Sequence, residues 1–563
     1  MWCVAFAVGV AHIWINRRNM VDIDGISYVE VGEAFLRGDW AHAVNGYWSP
    51  LYGLLLAAPL RLFQPSPEHE IYVLQLVNVM VYAGTLTALD VLLRRIIEAK
   101  EACHQSGMER ATASLPAWSF IALGYVLLAW AAAYWFSLWL VNSDVLFAGF
   151  FFVAASIVLR IRTRGANWRR FIALGLVLGV GYLAKTVMFP LAFVFLVTAA
   201  LAKKALRRNG RYAVTGALAF TVIATPLVVA ISVQVGRLSF GETGRLNYMW
   251  NVNKTASGRY WRGNPPGSGT PKHPVRLLSQ NPRVYEFAAP VGGTYPLWYD
   301  PSYWYAGASP RLDVIKQIQS LERSARFYWD MFQYSFQPLL LGGLLLLCLM
   351  GGRATAGASL SAMVEEWPLW VPALAGLALY AAVWVAERYV AAFLVVLWLS
   401  LFAAVRITDG PGSRRPNAVI ICALVAVVLV PTVVCTARDL AHKKINPEFD
   451  AAVQWQHAEA MRRLGIGPGD AVGVIGDGFG AARWARLARV RIIAELPPLQ
   501  RNQERFWKAS PQERASILAL FEKTGAKAVY AVDPPPWSTE AGWHALGDPN
   551  HAAFVFRDPV TPQ

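Results

Sequence analysis

The chain has 563 residues, of which 55 % are hydrophobic and only 16 % charged, and its formal net charge is +16. This composition excludes an ordinary soluble globular protein, because apolar runs of membrane-spanning length recur along the chain. Lys and Arg cluster in short segments between these runs, which is typical of a membrane topology signal and not of nucleic-acid binding. The five cysteines show neither metal-ligand spacing nor a disulfide pattern. We therefore predict a polytopic α-helical membrane protein.

Eleven apolar segments predict transmembrane helices, at residues 2–15, 70–93, 115–136, 144–161, 171–185, 187–202, 213–235, 335–350, 368–386, 389–405 and 417–436. The first is short and lacks a basic leader, which favours a truncated start over a signal peptide. Residues 50–63 are also apolar, but a segment of 14 residues with two prolines is more typical of a re-entrant piece than of a full crossing.

The basic loops favour the same choice at 50–63. If this segment returns to the side from which it enters, five basic loops share one face, which the positive-inside rule assigns to the cytoplasm. The outer face then carries the loops 16–49 and 236–334 and the polar ends of several spans. We therefore expect a multi-pass protein of the cytoplasmic (inner) membrane whose active site lies on the outer face.

The composition changes after residue 440. Predicted helices alternate with strands at "AVGVIG", "VRIIAE" and "KAVYAVD", which favours a small α/β domain with a parallel sheet. We predict a transmembrane catalytic domain over residues 1–440 and an extracytoplasmic domain over 441–563, although basic residues beside the last span leave the side of this second domain open. The "GDGFG" turn favours a tight strand-to-helix connection over a phosphate site.

The first outer loop carries the acidic stretch "VDIDGISYVEVGEAFLRGDW" at residues 21–40. Asp22 and Asp24 stand directly before an amphipathic helix, where a carboxylate can accept a proton from a nucleophile. Alternatively, Asp24 caps the N-terminus of that helix. An Asp-x-Asp pair can also hold a metal-bound nucleotide sugar, but nucleotide sugars are cytosolic and this loop is predicted to face away. Glu30, Glu33 and Asp39 are predicted to be solvated.

This stretch, followed by "NGYWSPLYGLLL", resembles the first outer loop of the GT-C superfamily of membrane glycosyltransferases. The nearest branches are the protein O-mannosyltransferase-like enzymes and the aminoarabinose transferases of lipid A. They share an acidic residue, a Tyr four residues later, an amphipathic helix ending near Gly-Asp-Trp, and a Pro-Leu-Tyr segment. The resemblance implies that Asp24 is the catalytic carboxylate, that Tyr28 contacts substrate, and that Asp22 is the reserve.

Three later motifs extend the resemblance, which covers roughly residues 1–435. "LVNSDVLFAGFF" looks like the second outer loop of these enzymes and implies that Asp144 is a supporting acid. "GVGYLAKTVMFP" and "ERYVAAFLVVLWL" imply that Lys185 and Arg388 bind a phosphate. Snorkelling to the interface is the alternative for Lys185. The remaining implied substrate-binding residues are Tyr389, Glu387 and Ser49.

One position departs from the aminoarabinose transferases. Where those enzymes have a Lys that contacts the lipid phosphate, this chain has Ser49, in "YWSPLY". Either another cation binds the phosphate or the donor differs from that branch. The aromatic-rich loop 236–334 has two interpretations, which are packing at the interface and stacking against sugar rings.

The resemblance implies a GT-C-like fold and a glycosyltransferase, of the hexosyl or pentosyl type. It would move a sugar from a polyprenyl-phosphate donor to a glycan, lipid or protein acceptor, with inversion and with Asp24 as the base. The leaving phosphate needs cationic or N–H stabilisation. We expect no cofactor, no nucleic acid and no metal, although Asp22, Asp24 and Asp144 have the chemistry to share an ion. The alternative is a transporter or flippase of a lipid-linked saccharide, which would need mid-bilayer charges and an internal repeat.

Overall fold

Apolar helices build the larger part of the molecule. The computed structural model describes residues 1–17, 21–105, 112–202, 206–254, 275–287, 292–303, 309–408, 411–442, 451–498 and 501–556. The helices up to residue 442 are α1 (Trp2–Ile15), α2 (Ile23–Arg37), α3 (Trp40–Ala43), α4 (Pro50–Phe63), α5 (Glu70–Gln105), α6 (Ala117–Trp130), α7 (Asp144–Arg164), α8 (Trp168–Ala184), α9 (Met188–Leu201), α10 (Leu206–Val235), α11 (Thr243–Asn251), α12 (Pro296–Tyr299), α13 (Val314–Gln333), α14 (Gln337–Met350), α15 (Gly352–Glu365), α16 (Trp367–Ala381), α17 (Glu387–Ala404) and α18 (Pro411–His442).

Each predicted span lies on one of these helices, and the chain is an integral membrane protein. Within the described residues, six helices are long and apolar enough to cross a membrane, namely α5, α6, α7, α10, α17 and α18. Helices α13 and α14 form a seventh candidate that is bent by 70°. Helices α1, α4, α9 and α16 are apolar but shorter. The count of eleven crossings and the re-entrant course of α4 stay predictions.

Helix α5 continues twelve residues beyond the predicted span end at residue 93. The added turns carry charged residues that pair with neighbours one turn away, such as Arg94 with Asp90 at 2.6 Å and Arg95 with Glu98 at 2.6 Å. Such pairs support a helix in water, so the hydrophobic run marks the membrane-embedded part and not the end of the helix.

Two of the five basic loops meet at one end of the helix bundle. Arg164 lies 3.2 Å from Glu98, and Lys100 and Arg162 both pair with Glu366. Arg162 and Arg164 lie at the end of α7, which has 21 residues and is therefore about 30 Å long, and Lys100 lies near the end of α5. The predicted outer-face residue Asp144 begins the same helix, so acidic and basic ends lie on opposite sides of the bundle.

Helix α2, which lies within the predicted first outer loop, packs closely against α4. A Cβ atom on Gly32 would lie 2.0 Å from the carbonyl oxygen of Gly53, so only glycine allows this approach of the two backbones. Next to it, the Tyr28 and Tyr52 rings meet edge to face with centroids 5.2 Å apart. The amphipathic helix is therefore fixed along its length against the apolar helix.

The C-terminal part is an α/β domain built on a seven-stranded sheet. Its helices are α19 (Ala451–Arg463), α20 (Gly478–Ala488), α21 (Asn502–Lys508) and α22 (Pro511–Lys523). The strands of the chain are β1 (Ala113–Ser114), β2 (Arg276–Gln280), β3 (Arg283–Glu286), β4 (Arg406–Ile407), β5 (Ala471–Ile475), β6 (Arg491–Leu496), β7 (Ala528–Val532), β8 (His544–Ala545) and β9 (His551–Val555). Strands β1 and β4 pair separately from this sheet.

The sheet has the order β2-β3-β6-β5-β7-β9-β8. Its three central strands are parallel, as predicted, and the outer strands are antiparallel. Strands β2 and β3 come from the outer loop 236–334, which the sequence did not indicate. The loop therefore completes the sheet of the C-terminal domain and joins the two predicted domains.

A buried charge cluster also joins them. The Arg486 guanidinium on α20 contacts the Glu33 carboxylate at 2.6 and 3.1 Å and the Glu70 carboxylate at 2.5 and 3.3 Å. Glu30 lies 3.8 Å from the same guanidinium and accepts a hydrogen bond from the Thr294 backbone N–H at 3.0 Å. The prediction that Glu30 and Glu33 are solvated is wrong, because a cation from a distant domain covers them.

Candidate active site

Asp22 is the residue that caps α2. Its carboxylate accepts hydrogen bonds from the backbone N–H of Gly25 at 3.3 Å and of Val141 at 3.0 Å, which ties the start of α2 to the turn before α7. The interpretation of Asp24 as the cap is therefore wrong. Burial, with the neighbouring Asp24 carboxylate as a second cause, raises the pKa of Asp22 to about 6.

Asp24 lies in the first turn of α2 and is held from two sides. Its Oδ2 accepts a hydrogen bond from Arg388 Nη2 at 2.8 Å, and its Oδ1 accepts one from Trp298 Nε1 at 3.1 Å. The side chain is 20 % exposed, whereas Asp22 is buried. Of the two aspartates, Asp24 is thus the one whose carboxylate is both oriented and reachable.

Asp144 and Lys185 form an ion pair beside Asp24. Asp144 is the first residue of α7, where the positive end of the helix dipole favours a carboxylate, and Lys185 directly follows α8. Arg388 Nε lies 3.8 Å from Asp144 Oδ2, so its guanidinium stands between the two carboxylates. The Lys185 Nζ atom also lies 4.4 Å from the centre of the Tyr389 ring. Lys185 is therefore a partner within a cluster and does not simply snorkel to the interface.

The predicted substrate-binding residues divide into two groups. The Tyr389 hydroxyl lies 3.3 Å from Arg388 Nη2, and the Tyr28 hydroxyl lies 2.9 Å from Ser143 Oγ, next to Asp144. Burial raises the pKa of the Tyr28 hydroxyl above its ordinary range, so it remains protonated. Ser49 is buried at the N-cap of α4 and Glu387 is exposed at the start of α17. Among the described residues, no hydrogen bond or ion pair joins either side chain to Asp24, Asp144, Lys185 or Arg388.

Trp298 is the site residue that the motifs missed. It belongs to the aromatic loop 236–334, and besides its bond to Asp24 its backbone carbonyl accepts a hydrogen bond from Trp48 Nε1 at 3.1 Å. Its ring meets that of Phe479, in the "GDGFG" turn of the C-terminal domain, at 5.1 Å between centroids. The aromatic composition indicated a role for the loop, but not which ring reaches the carboxylate.

Other aromatic residues of this loop are buried between the two parts of the molecule. The Tyr295 hydroxyl donates to Glu495 Oε2 at 2.8 Å, the Tyr299 hydroxyl donates to the His42 carbonyl oxygen at 2.8 Å, and Tyr303 is fully buried. These three side chains thus pack within the protein. Neither of the two interpretations of the loop accounts for them.

Each of the three aspartates already has hydrogen-bond donors or a cation as partners. Asp22 accepts two backbone N–H groups, Asp24 is paired with Arg388, and Asp144 is paired with Lys185. A divalent cation at this point would compete with these partners. The chemistry offered at this point is therefore an oriented carboxylate beside two cations, which suits proton transfer next to an anionic group.

No protein-family model matches the chain, and no curated protein matches its sequence. Two solved structures have the same fold over nearly the full length of both chains. ArnT from Cupriavidus metallidurans bound to undecaprenyl phosphate aligns with a TM-score of 0.54 and 13 % identity, over 100 % of this chain and 99 % of that one. The chain has the GT-C fold. ArnT in the apo state aligns with a TM-score of 0.52 and 13 % identity, over 98 % and 97 %.

The Archaeoglobus fulgidus oligosaccharyltransferase in the apo form aligns less well, with a TM-score of 0.48 and 12 % identity over 94 % of this chain and 69 % of that one. The GT-C fold predicted from the outer-loop motifs is confirmed, together with the small α/β region at the C-terminus. The roles assigned to individual side chains within the GT-C fold stay predictions.

Proposed function

We propose that this protein is a membrane glycosyltransferase that moves a sugar from a polyprenyl-phosphate donor to an acceptor on the outer face of the membrane. The observation that carries the proposal is the cluster of Asp24, Asp144, Lys185 and Arg388 at one end of a GT-C helix bundle. The ArnT structure with undecaprenyl phosphate supports a lipid-linked phosphate as the donor class.

Asp24 is the proposed general base. Its two oxygens are fixed by Arg388 and Trp298, while its partial exposure leaves an approach for an acceptor hydroxyl or amine. It takes the proton as the acceptor attacks the anomeric carbon on the face opposite the phosphate. The new glycosidic bond forms as the bond to the phosphate oxygen breaks, so the configuration inverts in one step. Asp22 is less suited, because backbone N–H groups occupy its oxygens.

Lys185 and Arg388 are the proposed phosphate ligands. An arginine has five N–H donors and can hold a second anion while it remains bound to Asp24. Lys185 exchanges part of its contact with Asp144 for a phosphate oxygen, since its ammonium has three donors. Negative charge grows on the phosphate as the sugar leaves, so both cations stabilise the transition state more than the ground state.

The placement of these charges favours an enzyme over a flippase. Asp144 is the first residue of α7, Lys185 directly follows α8, and Arg388 is the second residue of α17. A carrier that moves a charged headgroup across the bilayer needs ionisable groups near the midplane of its spans. Charges at helix ends instead suit a reaction carried out at the interface.

The test uses the purified full-length protein in detergent with a panel of radiolabelled polyprenyl-phosphate sugars. Asp24→Asn is expected to lower turnover by about 100-fold or more, the usual effect of losing a general base, while donor binding persists. Lys185→Ala is expected to weaken donor binding. Inversion is read from the anomeric configuration of the product by NMR.

Asp39→Asn is the matched control, since Asp39 lies in the same outer loop and its side chain is 37 % exposed. It should keep full activity. If Asp24→Asn retains the activity of this control, the base assignment is wrong. If the wild-type protein transfers no sugar but moves a fluorescent lipid-linked saccharide across proteoliposomes, the flippase is the correct alternative.

A further inference from the structure

The C-terminal domain contains a second group of ionisable side chains, outside the candidate active site. His457 lies on α19, Asp548 lies in the turn before β9, and His551 begins β9. One ligand atom from each of the three side chains lies within 4.8 Å of the other two. Residues from both ends of this domain therefore converge on one point.

The three side chains meet through their metal-binding atoms. The Asp548 carboxylate lies 2.6 Å from His457 Nε2 through one oxygen and 2.8 Å from His551 Nδ1 through the other. The two imidazole rings are 4.4 Å apart between centroids. Two imidazole nitrogens and a carboxylate are the donor set that zinc and related divalent ions prefer, and catalytic and structural zinc sites use such ligands.

Outer contacts hold two of the three side chains, His457 and Asp548, in place. The Tyr530 hydroxyl lies 3.3 Å from His457 Nδ1, the nitrogen that faces away from Asp548. The backbone N–H of Asn550 donates to Asp548 Oδ1 at 2.8 Å. Metal-binding imidazoles characteristically make such a contact through their second nitrogen, because it fixes the ring and the tautomer.

The group of three side chains is buried on the side of His457 and open to solvent on the other side. His457 is 0 % exposed, whereas Asp548 is 28 % and His551 is 24 % exposed. An ion can thus reach the group from solvent, and a water molecule can complete a four-coordinate site. The ligand atoms of a tetrahedral zinc site are about 3.3 Å apart, so the two present contacts need to open by less than about 1 Å.

We propose that His457 Nε2, the Asp548 carboxylate and His551 Nδ1 bind one zinc-type divalent cation. When the ion binds, the proton on each ligating nitrogen moves to the other nitrogen of its ring, where His457 donates to the Tyr530 hydroxyl. The ion links α19 to the turn before the last strand, and so joins the start of the C-terminal domain to its end. The site stabilises this domain, and it is independent of the proposed glycosyl transfer.

The test uses the full-length protein in detergent, purified with a tag that contains no histidine and stripped with EDTA. Zinc is added and free ion is removed, and metal content per chain is measured by mass spectrometry. We expect one zinc per chain in the wild type, a rise in Tm on adding zinc, and visible absorption bands of a tetrahedral site with Co²⁺. Mg²⁺ and Ca²⁺ should produce no such rise.

Asp548→Asn and His551→Ala are expected to lose the bound zinc. Tyr530→Phe should weaken binding by about 10–100-fold, as the loss of an outer contact usually does. His544→Ala is the control, because His544 is exposed on the adjacent strand β8 and lies outside the group. If the wild type retains no more zinc than His551→Ala, or if zinc does not raise its Tm, the three residues form only a hydrogen-bonded group and the proposal is wrong.

Discussion

Replacing Arg486 with methionine is expected to separate the C-terminal domain from the helix that carries Asp24. Methionine keeps an unbranched apolar side chain but is shorter, and it removes a guanidinium that makes four contacts of 2.5–3.3 Å with Glu33 and Glu70. The side chains of Arg486 and Glu70 are only 7 % and 3 % exposed, so water cannot replace the lost partner. Removing one member of a buried ion pair costs about 3–5 kcal/mol, because the other charge remains buried.

The assay is thermal unfolding of the full-length protein in detergent, followed by intrinsic fluorescence, with limited proteolysis to detect release of the C-terminal domain. A loss of about 3–5 kcal/mol in the free energy of unfolding lowers the Tm of the C-terminal domain by roughly 6 °C or more. Burial raises the pKa of Glu33, but Arg486 and the neighbouring arginines lower it further, so that it lies below its ordinary value. The stability that this pairing contributes to the wild type is lost as the pH falls, so the deficit of the variant should shrink at acidic pH. The triple variant with Gln at positions 33 and 70 should recover most of the stability.

Arg489→Met is the control. Arg489 approaches the same two carboxylates only at 3.6–3.7 Å, and its side chain is 33 % exposed. Partly exposed pairs of this kind contribute about 0–1 kcal/mol. Equal Tm values for the two variants would refute the reasoning, since they would show that Arg486 contributes no more than a solvated arginine.

Two further predictions concern α2. Burial raises the pKa of Glu30 to about 7, above its ordinary value of 4.5. Between these two pH values the folded protein keeps a proton on Glu30 that the unfolded chain has lost. The free energy of unfolding therefore falls as the pH rises from 4.5 to 7. Glu30→Gln should therefore gain up to about 3 kcal/mol over the wild type at pH ~8 and little at pH ~4.5, and a Tm difference that is the same at both would contradict this. Gly32→Ala places a methyl group against the Gly53 backbone and should abolish the monodisperse peak in size-exclusion chromatography, whereas Gly84→Ala, with open space around it, should keep that peak. Equal peaks would contradict the close approach of α2 and α4.

The sequence predicted the local elements of the fold better than its long-range contacts. Each predicted span became a helix because a run of apolar residues with helix-forming neighbours is a local property. The three parallel strands of the C-terminal sheet were predictable for the same reason. Strands β2 and β3 were not, because they join the sheet through the pairing of β3 with β6, which lies about 200 residues further along the chain.

The candidate site shows the same division. The sequence motifs predicted Asp24, Asp144, Lys185 and Arg388 as site residues. The structure places these four side chains together. The alternative interpretation, that Asp24 caps α2, is wrong because the cap is Asp22, and either aspartate suits the local sequence. The contact with Val141, 119 residues away, distinguishes them.

The amino-acid sequence by itself determined the membrane class, the positions of the apolar helices and the order of the charged motifs along them. Tertiary structure alone decided which charges meet, as with Asp24 and Arg388 across 364 residues or Glu70 and Arg486 across 416. The physical reason is that hydrophobic periodicity depends only on residues close together in the sequence. A buried charge is stable only with a partner, and sequence spacing does not reveal which one the fold supplies.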